Sequence, residues 1–190
     1  MSKTNRITLN VHAVWVLRLL TLTIIYSFCR IAFYLFNQEL FPSISFFSFF
    51  DCLLNGIRFD LSAIFFLNLP VILLIIIPFS FRKNTKYQKA VLMLFYVINS
   101  IGLMANLADI IYYRFTLKRI SFEIFNYLSL GGGNDAFSLL PRFILDFWYI
   151  AVIWLFLIAV LVFVSSRFSV NKQYAYQNTR GYLLGQCFYA

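Results

Sequence analysis

The residues that could do polar chemistry in this chain are few and mostly charged. Arg58 and Asp60 stand two apart, Asp109 is followed by Arg114, and Lys118 and Arg119 come just after. Guanidinium and ammonium groups in such a set suit a phosphate, and the carboxylates suit ion pairs that hold the cations in place. Arg30 adds a long side chain that can pair within a membrane or reach outward to the headgroups. Other chemistries find little support. Cys29, Cys52 and Cys187 have no CxxC spacing, which speaks against thiol exchange or a thiolate metal site. His12 is the one histidine and reads as an interfacial residue. Gly131-Gly132-Gly133 has no preceding strand and no Lys-Ser/Thr after it, so it is no phosphate-binding loop. The sequence presents no catalytic centre.

The elements that must position these residues are membrane helices. Residues are 62% hydrophobic and 12% charged, against ~25% charged in soluble domains. Apolar runs long enough to cross ~30 Å of hydrocarbon predict an all-α polytopic bundle, and the alternation of a β-barrel strand is absent. Four spans are expected at about Ala13–Phe36, Ile57–Phe79, Ala90–Tyr113 and Phe147–Ser165, in a single transmembrane domain covering 1–190. The polar start with Lys3 and Arg6 shows no signal-peptide cleavage site near Phe36, so the first span is expected to be retained. A net charge of +9 raises nucleic acid as a partner. The basic residues fall in short loops instead, where orientation explains them.

Lys3 and Arg6, the run Arg82–Lys89, and Arg167, Lys172 and Arg180 mark one side as cytoplasmic. This predicts a multi-pass protein of the bacterial cytoplasmic membrane with its N-terminus inside. All seven carboxylates, Glu39, Asp51, Asp60, Asp109, Glu123, Asp135 and Asp146, then lie at or beyond the outer boundary. Phe41–Asn55 and Ile120–Leu130 read as interfacial segments. The apolar stretch Thr179–Ala190 has about half the length of a span, and reads as a fifth helix cut short or as an interfacial tail.

Spacing sharpens the picture. Asn99, Gly102, Asn106 and Asp109 share one face of the third helix, and Thr23, Ser27, Arg30 and Tyr34 one face of the first. Small and polar stripes of this kind join helices in lipid, so Asn99 and Asn106 read first as interhelical contacts. Asp60 and Asp109 are expected to pair with Arg58, Arg30 or Arg114, as structural ion pairs or as substrate contacts. Arg58, Arg114, Lys118 and Arg119 would form a cationic rim at the level of anionic lipid headgroups.

Two segments resemble a known family. Gly56-Ile57-Arg58-Phe59-Asp60-Leu61-Ser62 and Asn106 through Arg119 (NLADIIYYRFTLKR) are similar to segments of lipoteichoic acid synthase-like proteins, membrane-anchored members of the alkaline phosphatase and sulfatase superfamily. The resemblance covers roughly Ala13–Arg180 and only that family's membrane part. It implies five helices, then an extracytoplasmic α/β domain that transfers phosphoglycerol from phosphatidylglycerol or a related group. By the same resemblance Arg58, Asp60, Asn106, Asp109, Tyr112, Thr116, Lys118 and Arg119 shape a groove where headgroup and catalytic domain meet. The family's threonine nucleophile and its Mn or Mg ligands have no counterpart here, and Thr116 is not that nucleophile. The alternative is a complete four-helix scaffold or a small transporter subunit, to which Asn68 and Pro70 near mid-span lend some support.

Overall fold

The structure, a computed structural model, describes residues 7–9, 11–41, 45–76, 84–119 and 146–170. Among them four helices are long and apolar enough to cross a membrane: α1 (Val11–Phe36), α2 (Phe46–Ile76), α3 (Thr85–Thr116) and α4 (Trp148–Arg167). The fold is the expected all-α bundle of a multi-pass membrane protein. The ends at Phe36, Phe46, Thr116 and Trp148 are called upper below, and those at Val11, Ile76, Thr85 and Arg167 lower. α1 and α3 pack against each other and both touch α2 and α4, so they form the centre. The predicted fifth helix and the segment 120–130 lie outside the described residues.

α2 differs most from expectation. It begins at Phe46, well before the predicted Ile57, so residues 46–55, read as interfacial, are instead its first turns. The reason is local. Ser45 Oγ accepts a bond from the Ser48 amide at 3.2 Å, an N-cap contact that satisfies one orphan donor. No proline or glycine then interrupts the chain before Gly56. α2 also runs on through Pro70 without breaking. α3 likewise starts earlier than Ala90, because Asn84 Oδ1 accepts from the Lys86 amide at 2.9 Å. At the lower end a short parallel pair, β1 (Ile7–Leu9) with β2 (Phe168–Val170), joins the segments flanking α1 and α4, with Thr8 opposite Ser169.

Apolar side chains cover the outside of the bundle as well as filling its core, and several polar groups are buried inside. Phe28, Phe47, Phe59, Phe66, Ile101 and Phe156 are exposed, while Asn68, Asn99 and Ser165 are fully buried. That arrangement is what lipid solvent favours, since hydrocarbon outside costs nothing and polar groups need partners. Asn68 and Asn99 find them in each other. Each Nδ2 donates to the other's Oδ1, at 2.9 and 2.7 Å. Each also donates to a carbonyl one turn back, Ile64 and Phe95.

Replacing Asn68 with Leu should therefore cost about 1–2 kcal/mol, because Asn99 keeps a buried amide without its partner. The double change Asn68→Leu/Asn99→Leu should recover most of it. Denaturant titration in micelles measures both, and a double variant as weak as the single one would show that the pair is not the source of the loss.

Candidate functional site

The upper half of the bundle holds the charged residues singled out above. Arg30, six residues or ~9 Å below the upper end of α1, reaches α2. Its Nη2 donates to Asp60 Oδ1 at 2.6 Å and to the Gly56 carbonyl at 3.0 Å, and its Nε to Asp60 Oδ2 at 3.4 Å. The two side chains are 26% and 13% exposed. Gly56 is part of this contact, because a Cβ there would collide with the guanidinium. Asp60 lies fourteen residues into α2 rather than at its start, because α2 begins earlier than expected, and the pair is largely buried between α1 and α2.

Asp109 is matched differently. α3 ends with Leu117 in the left-handed region, φ 54°, and its amide donates to the Tyr113 carbonyl at 2.8 Å. The turn brings Arg119 back over the helix, where its Nε donates to Asp109 Oδ2 at 2.6 Å. Asp109 is buried and Arg119 exposed, with its guanidinium 5.3 Å from the centre of the Phe33 ring. A non-glycine residue in this region costs ~1–2 kcal/mol, a strain that the ion pair and ring contact help to offset. Thr116 Oγ1 donates to the Tyr112 carbonyl at 2.8 Å and accepts from the Lys118 amide at 3.3 Å. Its hydroxyl thus holds the turn.

The remaining members are spread around this end. Arg114 approaches Glu39 at 3.7 Å, and both are exposed, so the contact contributes little. Arg58 and Lys118 are exposed and have no ion-pair partner among the described residues. Asn106 donates to the Gly102 carbonyl at 3.2 Å, and Tyr112 is half-buried. Asn37 joins α1 to α3 by donating to the Ile110 carbonyl at 3.1 Å.

Aromatic rings close the upper end between these charges. Phe36 stacks on Tyr149 at 5.9 Å, Phe41 on Tyr113 at 5.8 Å, and Tyr34 meets Phe49 at 4.4 Å. Such a belt belongs at a lipid–water boundary. Beside it a cavity of about 160 Å³ opens between α1 and α2, lined by Arg30, Tyr34, Phe41, Phe49 and Cys52 among others.

No family model, curated protein or solved structure matches this chain. No three His, Cys, Asp or Glu side chains converge among the described residues. Asp60, Asp109 and Glu39 serve as counter-ions to arginines, and the exposed Arg58 and Lys118 have no ion-pair partner among the described residues. Sequence reasoning anticipated Arg30 with Asp60 as one of three choices. It missed Arg119 with Asp109, Asn68 with Asn99, and a buried arginine at the lower end, Arg18. Arg18 shares a 3–4 spacing with the apolar residues Val11, Val14, Leu22, Ile25 and Cys29, and that pattern was the available signal.

Proposed function

We propose that this chain is a membrane domain of the bacterial cytoplasmic membrane. Its upper rim faces the outside and gathers anionic phospholipid headgroups, as the resemblance implies for the membrane part of lipoteichoic acid synthase-like and sulfatase-like proteins. It contributes anchoring and headgroup approach to phosphoglycerol or related transfer, and no bond-breaking group of its own. One observation carries the reading. Asp60 and Asp109 are each bound to an arginine, while Arg114 and Lys118 stay exposed beside an aromatic belt and Arg58 stays exposed further down α2. A surface cation of this kind is worth ~1 kcal/mol toward an anionic lipid. The scaffold or transporter reading has less to stand on, because the buried Asn68 and Asn99 amides are bonded to each other.

The test has two parts. In cells, a membrane-impermeant amine reagent should modify Lys118 and spare Lys86 and Lys89; the reverse pattern inverts the orientation and removes the proposal. In vesicles, spin-labelled phosphatidylglycerol should associate with the protein in preference to phosphatidylcholine. The variant Arg58→Gln/Arg114→Gln/Lys118→Gln should lose most of that preference, with a fall of roughly tenfold. An unchanged preference at equal folded protein would show that the rim does not recruit the lipid.

A further inference from the structure

The lower half of the bundle carries a buried charge that no carboxylate answers among the described residues. Arg18 is only 7% exposed and lies on the core-facing seam of α1. Its Nε has no hydrogen-bond partner, and it joins no ion pair among the described residues. Its guanidinium lies over the Trp15 ring, 4.5 Å from the centre. Among the described residues Glu39, Asp51, Asp60, Asp109 and Asp146 belong to the upper half. A ring contact alone does not offset a buried guanidinium, whose desolvation is several times larger. The described residues leave room for a counter-anion at this charge.

Two more observations say which anion. Ser165 of α4 is fully buried, and its Oγ also lacks a hydrogen-bond partner. Toward the upper end from these two residues, a cavity of about 450 Å³ separates α1 from α4. It begins at Thr21, one turn from Arg18, and at Val164, the neighbour of Ser165; Ile25, Leu107, Leu157 and Val160 are among its walls. Thr21 spends its hydroxyl on the Leu17 carbonyl at 2.8 Å, so the lining offers hydrocarbon little but hydrocarbon. From Thr21 to Ala32 the slot runs ~16 Å at the helical rise. That is about half of a ~30 Å hydrocarbon core, the depth of one leaflet.

We propose that Arg18 and Ser165 hold the phosphate of an anionic glycerophospholipid drawn from the lower leaflet, with one acyl chain in the slot between α1 and α4. The guanidinium fork suits a phosphate, and the serine hydroxyl adds a donor. A free phosphate leaves the slot empty. A zwitterionic lipid leaves the positive charge of Arg18 uncompensated overall. An anionic lipid answers both. The site is separate from the upper rim and lies on the opposite side of the membrane.

The chain in phosphatidylcholine nanodiscs, supplied with increasing phosphatidylglycerol, gives the test, with retained lipid read by native mass spectrometry. Wild type should keep a bound phosphatidylglycerol after extraction. Arg18→Met should weaken that retention by about tenfold, the worth of a charge-assisted bond. Because it removes a buried unpaired charge, it should fold at least as well as wild type, which size exclusion checks. Val160→Trp, which fills the slot and leaves the charge alone, should weaken retention as well. Arg58→Gln/Arg114→Gln should leave it intact, which separates this site from the rim. Retention unchanged in Arg18→Met, or unchanged in Val160→Trp, overturns the proposal. So does displacement by free glycerol phosphate as effective as by the lipid, since that marks an ion site without an acyl chain.

Discussion

Arg30→Met should destabilise the protein by about 3 kcal/mol, and the double variant Arg30→Met/Asp60→Leu should return close to wild type. The asymmetry follows from where the pair sits. Arg30 and Asp60 are bonded at 2.6 Å and mostly withdrawn from solvent, so losing one partner leaves the other charged and largely buried. The two single changes should not be equal. When Asp60 is replaced by Leu, Arg30 keeps a long stem and lies ~9 Å below the upper end of α1, within reach of the interface by snorkelling. When Arg30 is replaced, the short Asp60 side chain has no such escape. Asp60→Leu should therefore cost nearer 2 kcal/mol, short of the full penalty for an orphaned ion. Denaturant titration in micelles of both single variants and the double one gives the coupling directly. Additive losses would mean that the two charges act independently and that the pair does not hold α1 to α2.

How much of this was legible beforehand depends on how far each feature lies from its cause in sequence. α1 and α4 were readable at both ends, because polar residues bound a single apolar run in each. The start of α2 was not. Phe46 to Phe50 is as apolar as a span, and what fixes the helix there is one serine cap three residues from the amide it bonds. Asp109 illustrates the same limit. The sequence left Arg58, Arg30 or Arg114 open as its partner, yet the left-handed turn at Leu117 puts Arg119 over the carboxylate. A non-glycine residue in that conformation leaves no mark in the sequence. The Asn99 stripe was visible as a contact surface, but its partner Asn68 was read with Pro70 as a hint of a broken helix. The bonded amides and the unbroken α2 give those two residues a packing role.

The side chains that sequence reasoning could place least are those that answer each other across helices, and they carry most of the polar logic of the bundle. Arg30 with Asp60 joins α1 to α2, Asn68 with Asn99 joins α2 to α3, and the Trp154 indole donates to the Ser100 carbonyl at 2.9 Å to join α4 to α3. In lipid, where apolar contact gives helices little reason to choose one neighbour over another, these few bonds set the register. The charges at the upper rim inherit their positions from that register. Arg58 is exposed because Asp60, two residues on, faces α1.

Gly56 makes that dependence testable without touching a charge. Gly56→Ala should cost about 2 kcal/mol in wild type and much less in the Arg30→Met/Asp60→Leu background. The added methyl would fall onto the guanidinium of Arg30, with Nη1 and Nε both 2.5 Å from the new carbon. An arginine side chain can ordinarily move aside at little cost. Here it is held by Asp60 on one side and accepted by the Gly56 carbonyl on the other, so moving away means giving up bonds that compensate its charge. Alanine is also the better helix former by ~1 kcal/mol, which works in favour of the variant once the clash is gone. In the uncharged background the substitution should therefore be neutral or mildly stabilising. The contrast between the two backgrounds, read as a shift in the denaturation midpoint, isolates close approach from helix propensity. A loss of the same size in both would place the role of Gly56 in helix packing alone, and would detach it from the ion pair that sets the upper half of the bundle.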